Sequence, residues 1–160
     1  MLIEAKLQEM GVFLPEAPVL PLGQTLRFAW ARAYGDLVYL SGHAAQMRDG
    51  SFAIIRGKVG AEVSFEEAQE ASRLAALSML ANLKRSIGDL DRVSAWLMVS
   101  GMVNVAPGFT NTTGVMDGCS DLLLEAFGPE IGTHARTAIG VAQLPLNSAV
   151  VLAAQVALSS

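Results

Sequence analysis

The chain has 160 residues, of which 52% are hydrophobic and 16% charged, and its formal net charge is −4. This length allows one domain with a core of its own, and a mean hydropathy of +0.41 excludes a disordered chain. The single cysteine excludes an intramolecular disulfide, and the net acidity excludes the basic surface typical of proteins that bind nucleic acid or anionic membranes.

The N-terminal residues 1–26 are predicted to form an extension of one domain that spans residues 1–160. Residues 2–10 predict a short amphipathic helix, which Gly11 ends. Three prolines within residues 13–23 then predict an extended connector. Charged and apolar residues are mixed at the N-terminus, unlike a secretory signal peptide, so we expect a cytoplasmic protein.

Three short strands are predicted next. Residues 27–34 alternate large side chains with alanines, which favours a strand. After a turn, residues 37–40 predict a second strand that ends at Ser41-Gly42. Residues 52–55 follow a further turn and predict the third strand.

A capping box marks the start of the longest predicted helix. Ser64 stands three residues before Glu67, so each side chain can bond the free backbone N–H of the other residue. Small and apolar residues recur at helical spacing as far as Gly88, where we expect the helix to end. Its small-residue face predicts close packing against a sheet.

One strand and one helix are predicted between Gly88 and the last part of the chain. Residues 93–103 are β-branched and apolar enough for a central strand. A loop is expected at residues 107–114, and either Asp117 or Ser120 is expected to begin a helix that runs to Phe127. Gly128-Pro129 is expected to close this helix.

The last part of the chain, residues 137–160, contains no charged side chain and is long enough to span a bilayer. Pro145-Leu146-Asn147 interrupts the segment, so we expect two buried strands paired as a hairpin and no membrane span. The predicted order of strands and helices defines one α+β domain.

Few side chains suggest metal or thiol chemistry. His43 and His134 lie far apart in sequence and have no evident third ligand, so neither a metal site nor a cofactor is expected. Cys119 stands near a predicted helix start, where a thiolate could be stabilised. A lone cysteine beside a helix is more often a small buried side chain, and we interpret Cys119 in that way.

Arg136 is the clearest candidate for a functional residue. It is the only lysine or arginine after Arg92, and it enters an uncharged strand that is predicted to be buried. A buried guanidinium without a partner is strongly unfavourable. Its partner is either a structural one, for which Glu125 and Glu130 are the nearest acids, or the carboxylate of a small ligand.

Several motifs resemble the RidA/YjgF family across nearly the whole chain: residues 37–42 (Leu-Val-Tyr-Leu-Ser-Gly), residues 57–60 (Gly-Lys-Val-Gly), the helix from Ser64, and residues 88–93. The most specific stretch, residues 134–145, is similar to the arginine-containing strand of the family and the Leu-Pro turn after it. The N-terminal extension and residues 118–123 resemble a longer, endoribonuclease-like branch.

The resemblance implies a chorismate-mutase-like α+β fold, with a mixed sheet backed by two helices and a homotrimer around a central barrel. Such a trimer would bury the apolar residues of a chain that is poorer in charge than a typical soluble domain. The resemblance also implies hydrolytic deamination of reactive enamine or imine acids to 2-oxo acids, in clefts between subunits. In those clefts Arg136 would clamp the carboxylate, and the lining residues would be Phe28, Ser41, Gly42, Ala138 and either Asp121 or its neighbour Ser120.

Two positions depart from the family pattern. Val151 stands where archetypal members have a glutamate that handles water, and Phe28 stands where they have a tyrosine. Valine cannot accept a proton, and Asp121 or His134 are the candidates to replace that glutamate. The alternative to a deaminase is therefore a trimer that binds a small carboxylic acid without turnover. A ribonuclease is the least favoured hypothesis, because 15 acidic residues outnumber 11 basic ones and no basic cluster is visible.

Overall fold

The computed structural model describes residues 2–21 and 23–160. In chain order the elements are α1 (Leu2–Glu9), β1 (Ala31–Tyr34), β2 (Leu37–His43), α2 (Phe65–Ile87), β3 (Val93–Asn104), α3 (Thr112–Gly132), β4 (Ala135–Val141) and β5 (Val150–Leu158). Short 3₁₀ turns at Leu90–Arg92 and Pro145–Asn147 precede β3 and β5. Met1 and Leu22, which belong to the predicted N-terminal extension, lie outside the described residues.

The strands form one five-stranded sheet in the order β1-β2-β5-β3-β4. β3 and β4 are parallel, and the other neighbouring strands are antiparallel. The parallel pair needs a crossover connection, which α3 supplies. The mixed α+β fold is therefore confirmed.

The predicted C-terminal hairpin is wrong. β5 lies between β2 and β3, whereas β4 pairs with β3 at the edge of the sheet. Apart from Arg136 in β4, both strands consist of uncharged and mostly apolar residues, so their sequence identifies them as strands but does not distinguish one partner from another. The turn at Pro145–Asn147 leads the chain across β3 instead of folding it back onto β4.

Two of the predicted strands also differ from the structure. β1 begins at Ala31 instead of residue 27, because its regular pairing with β2 extends only from Tyr34–Leu37 to Ala31–Leu40. Beyond Leu40, β2 is irregular, and its register with β5 shifts before His43. Residues 52–55 form only an isolated bridge, between Phe52 and Gln46. In that segment Ala53 is buried while Ile54 is 89% exposed, so the short apolar run does not indicate a buried strand.

The capping box and the end of α2 are confirmed. The Ser64 side chain accepts a bond from the Glu67 backbone N–H, and the Glu67 carboxylate accepts one from the Ser64 backbone. Gly88 ends the helix with a φ of 87°, a conformation that favours glycine. The small residues Ala68, Ala71 and Ala75 are buried on the inner face of α2.

The predicted start of α3 is wrong. The helix begins at Thr112, and the side chain of Asn111 caps it by accepting a bond from the Gly114 N–H. Asp117 and Ser120 therefore lie inside the helix, one turn or more beyond the cap. Gly128 interrupts the helical path with a φ of 75°, and a last turn continues to Gly132.

Both long helices pack on one face of the sheet, where α2 contacts β5 and α3 contacts β3 and β4. Cross-strand pairing places other side chains together on the opposite face, including Tyr39 beside Gln155, Met98 beside Ala135, and Met102 beside both Val151 and Ile139. Several of these are apolar and half exposed: Ile139 is 53% and Tyr39 47% exposed. The sheet face that the helices leave open therefore exposes apolar side chains to solvent in the single chain.

Candidate functional site

The site is built where α3 crosses the edge strand β4. Because α3 begins at Thr112, residues 113, 117 and 120 recur at helical spacing and lie on one face of the helix. Thr112 joins this end of α3 to β4, since its hydroxyl donates to the Ala138 carbonyl at 2.8 Å. The helix face is thereby held against Arg136.

Arg136 makes three hydrogen bonds to that helix face. Its Nη1 donates to Asp117 Oδ1 at 2.9 Å and to Ser120 Oγ at 2.9 Å, and its Nη2 donates to the Thr113 carbonyl at 3.2 Å. The Arg136 side chain is 18% exposed and that of Asp117 is 49% exposed. The predicted pairing with Glu125 or Glu130 is wrong, because the ion-pair partner is Asp117.

The ion pair leaves part of the Arg136 guanidinium available. A guanidinium has five N–H groups, and three of the N–H groups are used in the bonds found among the described residues. Arg136 is therefore held in place from the helix side and retains donors for a ligand. A structural partner and a carboxylate ligand are compatible at this residue.

Ser120 joins Arg136 to His134. The Ser120 hydroxyl lies 2.9 Å from His134 Nε2, and His134 Nδ1 lies 2.7 Å from the Gly132 carbonyl oxygen. A carbonyl only accepts hydrogen bonds, so we assign the imidazole proton to Nδ1, which leaves Nε2 as an acceptor. Ser120 therefore accepts from Arg136 and donates to His134.

From the sequence, His134 is predicted only as one candidate replacement for the glutamate, and no connection with Ser120 is predicted. One signal was present, because His134 and Arg136 are two residues apart at the start of a strand, where alternate side chains point the same way. The connection to Ser120 depends on the true start of α3 at Thr112, which lies earlier than the predicted start.

A second group of predicted residues lies together elsewhere. Phe28, Gly42 and Val151 line a cavity of about 490 Å³. Trp30 also lines this cavity, and its ring packs edge-on against Phe28 with the centroids 5.2 Å apart. The nearby Ser41 hydroxyl donates to the Ala29 carbonyl at 2.7 Å. The structure thus brings most of the predicted site residues together, but as two separate groups.

Asp121 and Cys119 belong to neither of these two groups. Asp121 lines a depression between α2 and α3 with Gln69 and Arg73, not the contacts around Arg136. Cys119 is buried, and this burial raises the pKa of its thiol to about 12. The thiol therefore stays protonated near neutral pH.

Residues 2–21 and 23–160 show neither a metal-binding cluster nor a membrane-spanning helix. No three His, Cys, Asp or Glu side chains of this part of the chain are grouped so that they could hold a metal ion. None of its helices combines the length and the apolar character that crossing a membrane requires.

Fold and site define the class of protein: a mixed α+β sheet protein whose edge strand carries an arginine held by the crossover helix. Residues 4–157 match the family described as "YjgF/chorismate mutase-like, putative endoribonuclease". The chain is also 36% identical over 158 residues to Protein TCP17 of Trypanosoma cruzi. The matched region covers 99% of this chain and 95% of that protein. The chain therefore belongs to the YjgF/RidA family.

Two solved structures are similar over nearly the whole chain. The first is Atu1372 from Agrobacterium tumefaciens, described as a protein of unknown function, with 32% identity and a TM-score of 0.86 over 99% of this chain and 93% of that one. The second, from Shewanella oneidensis MR-1, is described as a "putative endoribonuclease", with 31% identity and a TM-score of 0.88 over 99% of this chain and 100% of that one. The similarity of these two structures to this chain supports the fold and the family.

Proposed function

We propose that the protein hydrolyses small reactive 2-imino or enamine acids to 2-oxo acids and ammonia, with Arg136 binding the substrate carboxylate. The observation that carries the proposal is the arrangement at Arg136. Its guanidinium is anchored by Asp117, Ser120 and the Thr113 carbonyl, yet it retains N–H donors. An anchored guanidinium is suited to binding a planar carboxylate through paired hydrogen bonds.

Anchoring also explains how such a site could accelerate a reaction. Imines of this kind are labile, so holding one in a fixed orientation beside water lowers the entropic part of the barrier. The three bonds that fix Arg136 ensure that little further ordering of its side chain is required when a carboxylate binds.

We further propose that the protein assembles as a homotrimer around a central barrel and that the ligand lies between subunits. Two observations support this proposal. The open sheet face carries half-exposed apolar side chains such as Tyr39 and Ile139, which a neighbouring copy would bury. In addition, the group with Phe28 and Val151 is separate from Arg136, so a ligand that uses both groups needs two copies of the chain.

The proposed assembly predicts the effect of a charge on the open sheet face. Ile139→Glu is expected to convert the trimer to single chains at micromolar concentration, because a buried carboxylate without a partner is strongly unfavourable. Light scattering coupled to gel filtration measures the mass. Leu124→Glu is the matched control, since Leu124 is an exposed leucine on α3, and it should leave the mass unchanged. A single-chain mass for the unmodified protein would refute the trimer.

A carboxylate-binding protein without turnover is the second candidate, and a specific observation favours it. The cavity beside Phe28 has Val151 in its wall, and neither side chain can transfer a proton. Under this alternative Arg136 binds the same ligand and water is not activated. Ribonuclease activity is the least supported, because the chain has 15 acidic and 11 basic residues.

Arg136→Gln tests the proposed function. We expect the affinity for a 2-oxo acid such as pyruvate, measured by calorimetry, to fall roughly tenfold to hundredfold, the usual effect of losing hydrogen bonds from a charged donor. Ammonia release from 2-imino acids, generated in the assay by a pyridoxal phosphate-dependent dehydratase, should fall at least as much. Arg73→Gln is the control, since Arg73 forms an exposed pair with Glu70 on α2.

Each outcome separates the candidates. If the assembled protein does not accelerate ammonia release but binds the 2-oxo acid through Arg136, the deaminase is refuted and the binding protein remains. If Arg136→Gln folds and binds the 2-oxo acid as tightly as the unmodified protein, the carboxylate clamp is refuted in both candidates.

A further inference from the structure

We propose that the Ser120 hydroxyl transfers protons between His134 and the molecule bound at Arg136, so that this pair provides the acid–base chemistry that Val151 cannot provide. The inference rests on the proposed function, because it concerns the reaction of the same bound molecule. Ser120 would contact the bound molecule, and His134 would act through Ser120.

The hydrogen bonds of Ser120 have defined directions. Arg136 Nη1 can only donate, so the Ser120 oxygen accepts from it at 2.9 Å. The Ser120 proton is then free to point at His134 Nε2, also 2.9 Å away. The Gly132 carbonyl holds His134 Nδ1 at 2.7 Å and orients the ring. A hydroxyl, a base and a group that orients the base are thus within hydrogen-bond distance, as in activated hydroxyl groups of enzymes.

Charge near the hydroxyl favours the transfer. As Ser120 gives up its proton, negative charge develops on Oγ, and the guanidinium bonded to that oxygen stabilises it. Asp117 accepts a bond from the same Nη1 atom, and its negative charge balances the positive charge of Arg136. The ion pair therefore repels a protonated His134 less strongly than an unpaired arginine would. The charged groups that contact the pair are Arg136 from β4 and, through it, Asp117 from α3.

Position supports a role at the ligand. Ser120 bonds the same guanidinium that would bind the carboxylate, so its hydroxyl lies next to the bound acid. Val151 lies in the other group of residues, two strands away from β4 in the sheet. Among the described residues around Arg136, Ser120 and His134 therefore form the hydroxyl–imidazole pair that can both take up and return a proton.

The proposed reaction begins with attack of water on the iminium carbon. The water oxygen forms the C–O bond, the C=N π electrons move to nitrogen, one water proton passes to Ser120 Oγ, and the Ser120 proton passes to His134 Nε2. The imidazolium then returns a proton through Ser120 to the amino nitrogen. The C–N bond breaks with its electron pair on nitrogen, the hydroxyl oxygen forms the carbonyl, and its proton leaves with the ammonia as ammonium.

The test uses two variants with different chemistry. Ser120→Ala removes the hydroxyl, and His134→Gln leaves an amide that can still bond Ser120 but cannot take up a proton. For both we expect kcat for ammonia release to fall about 100-fold, the usual lower range for loss of general acid–base catalysis, with KM changed less than about threefold. The double variant should be no slower than the single variants, because the residues act as one unit.

A pH profile gives a readout that a merely structural pair would not affect. In the unmodified protein kcat is expected to rise as an imidazole loses its proton, and in both variants this rise should disappear. Thr133→Val is the matched control, since it removes a hydroxyl at the end of the same helix, and this hydroxyl bonds the Pro129 carbonyl instead of His134 or Arg136. It should retain both the rate and the profile.

The outcomes distinguish this inference from the proposed function. If the unmodified protein is active and the folded Ser120→Ala and His134→Gln variants keep kcat within threefold and the same pH profile, only the proton-transfer pair is refuted. If the unmodified protein releases no ammonia above the uncatalysed rate, the deaminase and the pair are both refuted. Loss of pyruvate binding in the Ser120 variant, with kcat unchanged at saturation, would also refute the pair.

Discussion

Acidification from pH 7 to pH 4 is expected to lower the free energy of unfolding by about 3 kcal/mol through one side chain, His43. This histidine is the last residue of β2, immediately after Ser41 and Gly42, and is almost fully buried. Burial lowers its pKa from 6.5 to about 4, although a bond to the Ser41 carbonyl acts in the opposite direction.

The neutral form of His43 is selected by its hydrogen bonds. Its Nδ1 lies 2.5 Å from the Ser41 carbonyl oxygen, and its Nε2 lies 3.0 Å from Asn82 Nδ2. Arg85 donates to Asn82 Oδ1 at 2.8 Å, which orients the amide so that its NH₂ group points at the imidazole. Protonation of Nε2 would place two donors against each other inside the core.

The direction of the pH effect follows from the lowered pKa. The unfolded chain binds a proton on this histidine below pH 6.5, whereas the folded chain binds one only near pH 4. Stability from His43 is therefore complete above pH 6.5, decreases as the pH falls to 4, and changes little below that value. Since each pKa unit corresponds to about 1.4 kcal/mol, the full loss is about 3 kcal/mol.

Urea unfolding at fixed protein concentration, repeated between pH 7 and pH 4, measures this loss. His43→Gln should be less stable at pH 7 and should lack most of the decrease between pH 6.5 and pH 4. His134→Gln, which removes the other histidine, should keep the decrease, because it leaves His43 and its partners Ser41 and Asn82 in place. Parallel pH curves for the unmodified protein and His43→Gln would contradict the assignment.

Local features of the fold could be predicted from the sequence because neighbouring residues determine them. The capping box at Ser64 and the stop at Gly88 act within one helical turn, and both are present. The partner of a strand depends on residues that are distant along the chain. For this reason the uncharged segments before and after Pro145 could be identified as strands, while their separation by β3 could not.

The candidate site shows the same division. Arg136 could be selected because a charge in an apolar strand needs a partner, and it does have one. That this partner is Asp117 could not be predicted, because Asp117 was one of the two residues expected at the start of α3. Asn111, interpreted as a loop residue, is the actual cap. Moving the helix start to that residue places Thr113, Asp117 and Ser120 on the face that meets Arg136.

The site therefore depends on where α3 lies, and α3 is positioned by direct contact with α2. Gly118 provides this contact. A Cβ atom added to Gly118 would lie 2.2 Å from the carbonyl oxygen and 3.1 Å from the carbonyl carbon of Gln69 in α2. Backbone atoms cannot move aside as the end of a side chain can. Any larger residue at position 118 must push the two helices apart.

Gly118→Val is accordingly expected to lower the free energy of unfolding by about 3 kcal/mol, at the upper end of the usual cost of overpacking. Gly118→Ala should cost less, because the side chain is smaller and alanine gains about 1 kcal/mol in helix propensity. Both variants should also weaken pyruvate binding, since moving α3 moves Asp117 and Ser120 away from Arg136. Urea unfolding and calorimetry measure the two effects, and Glu125→Ala on the exposed side of α3 serves as control. Full stability of Gly118→Val would show that α2 and α3 can separate without cost, and the positioning of the site would then need another origin.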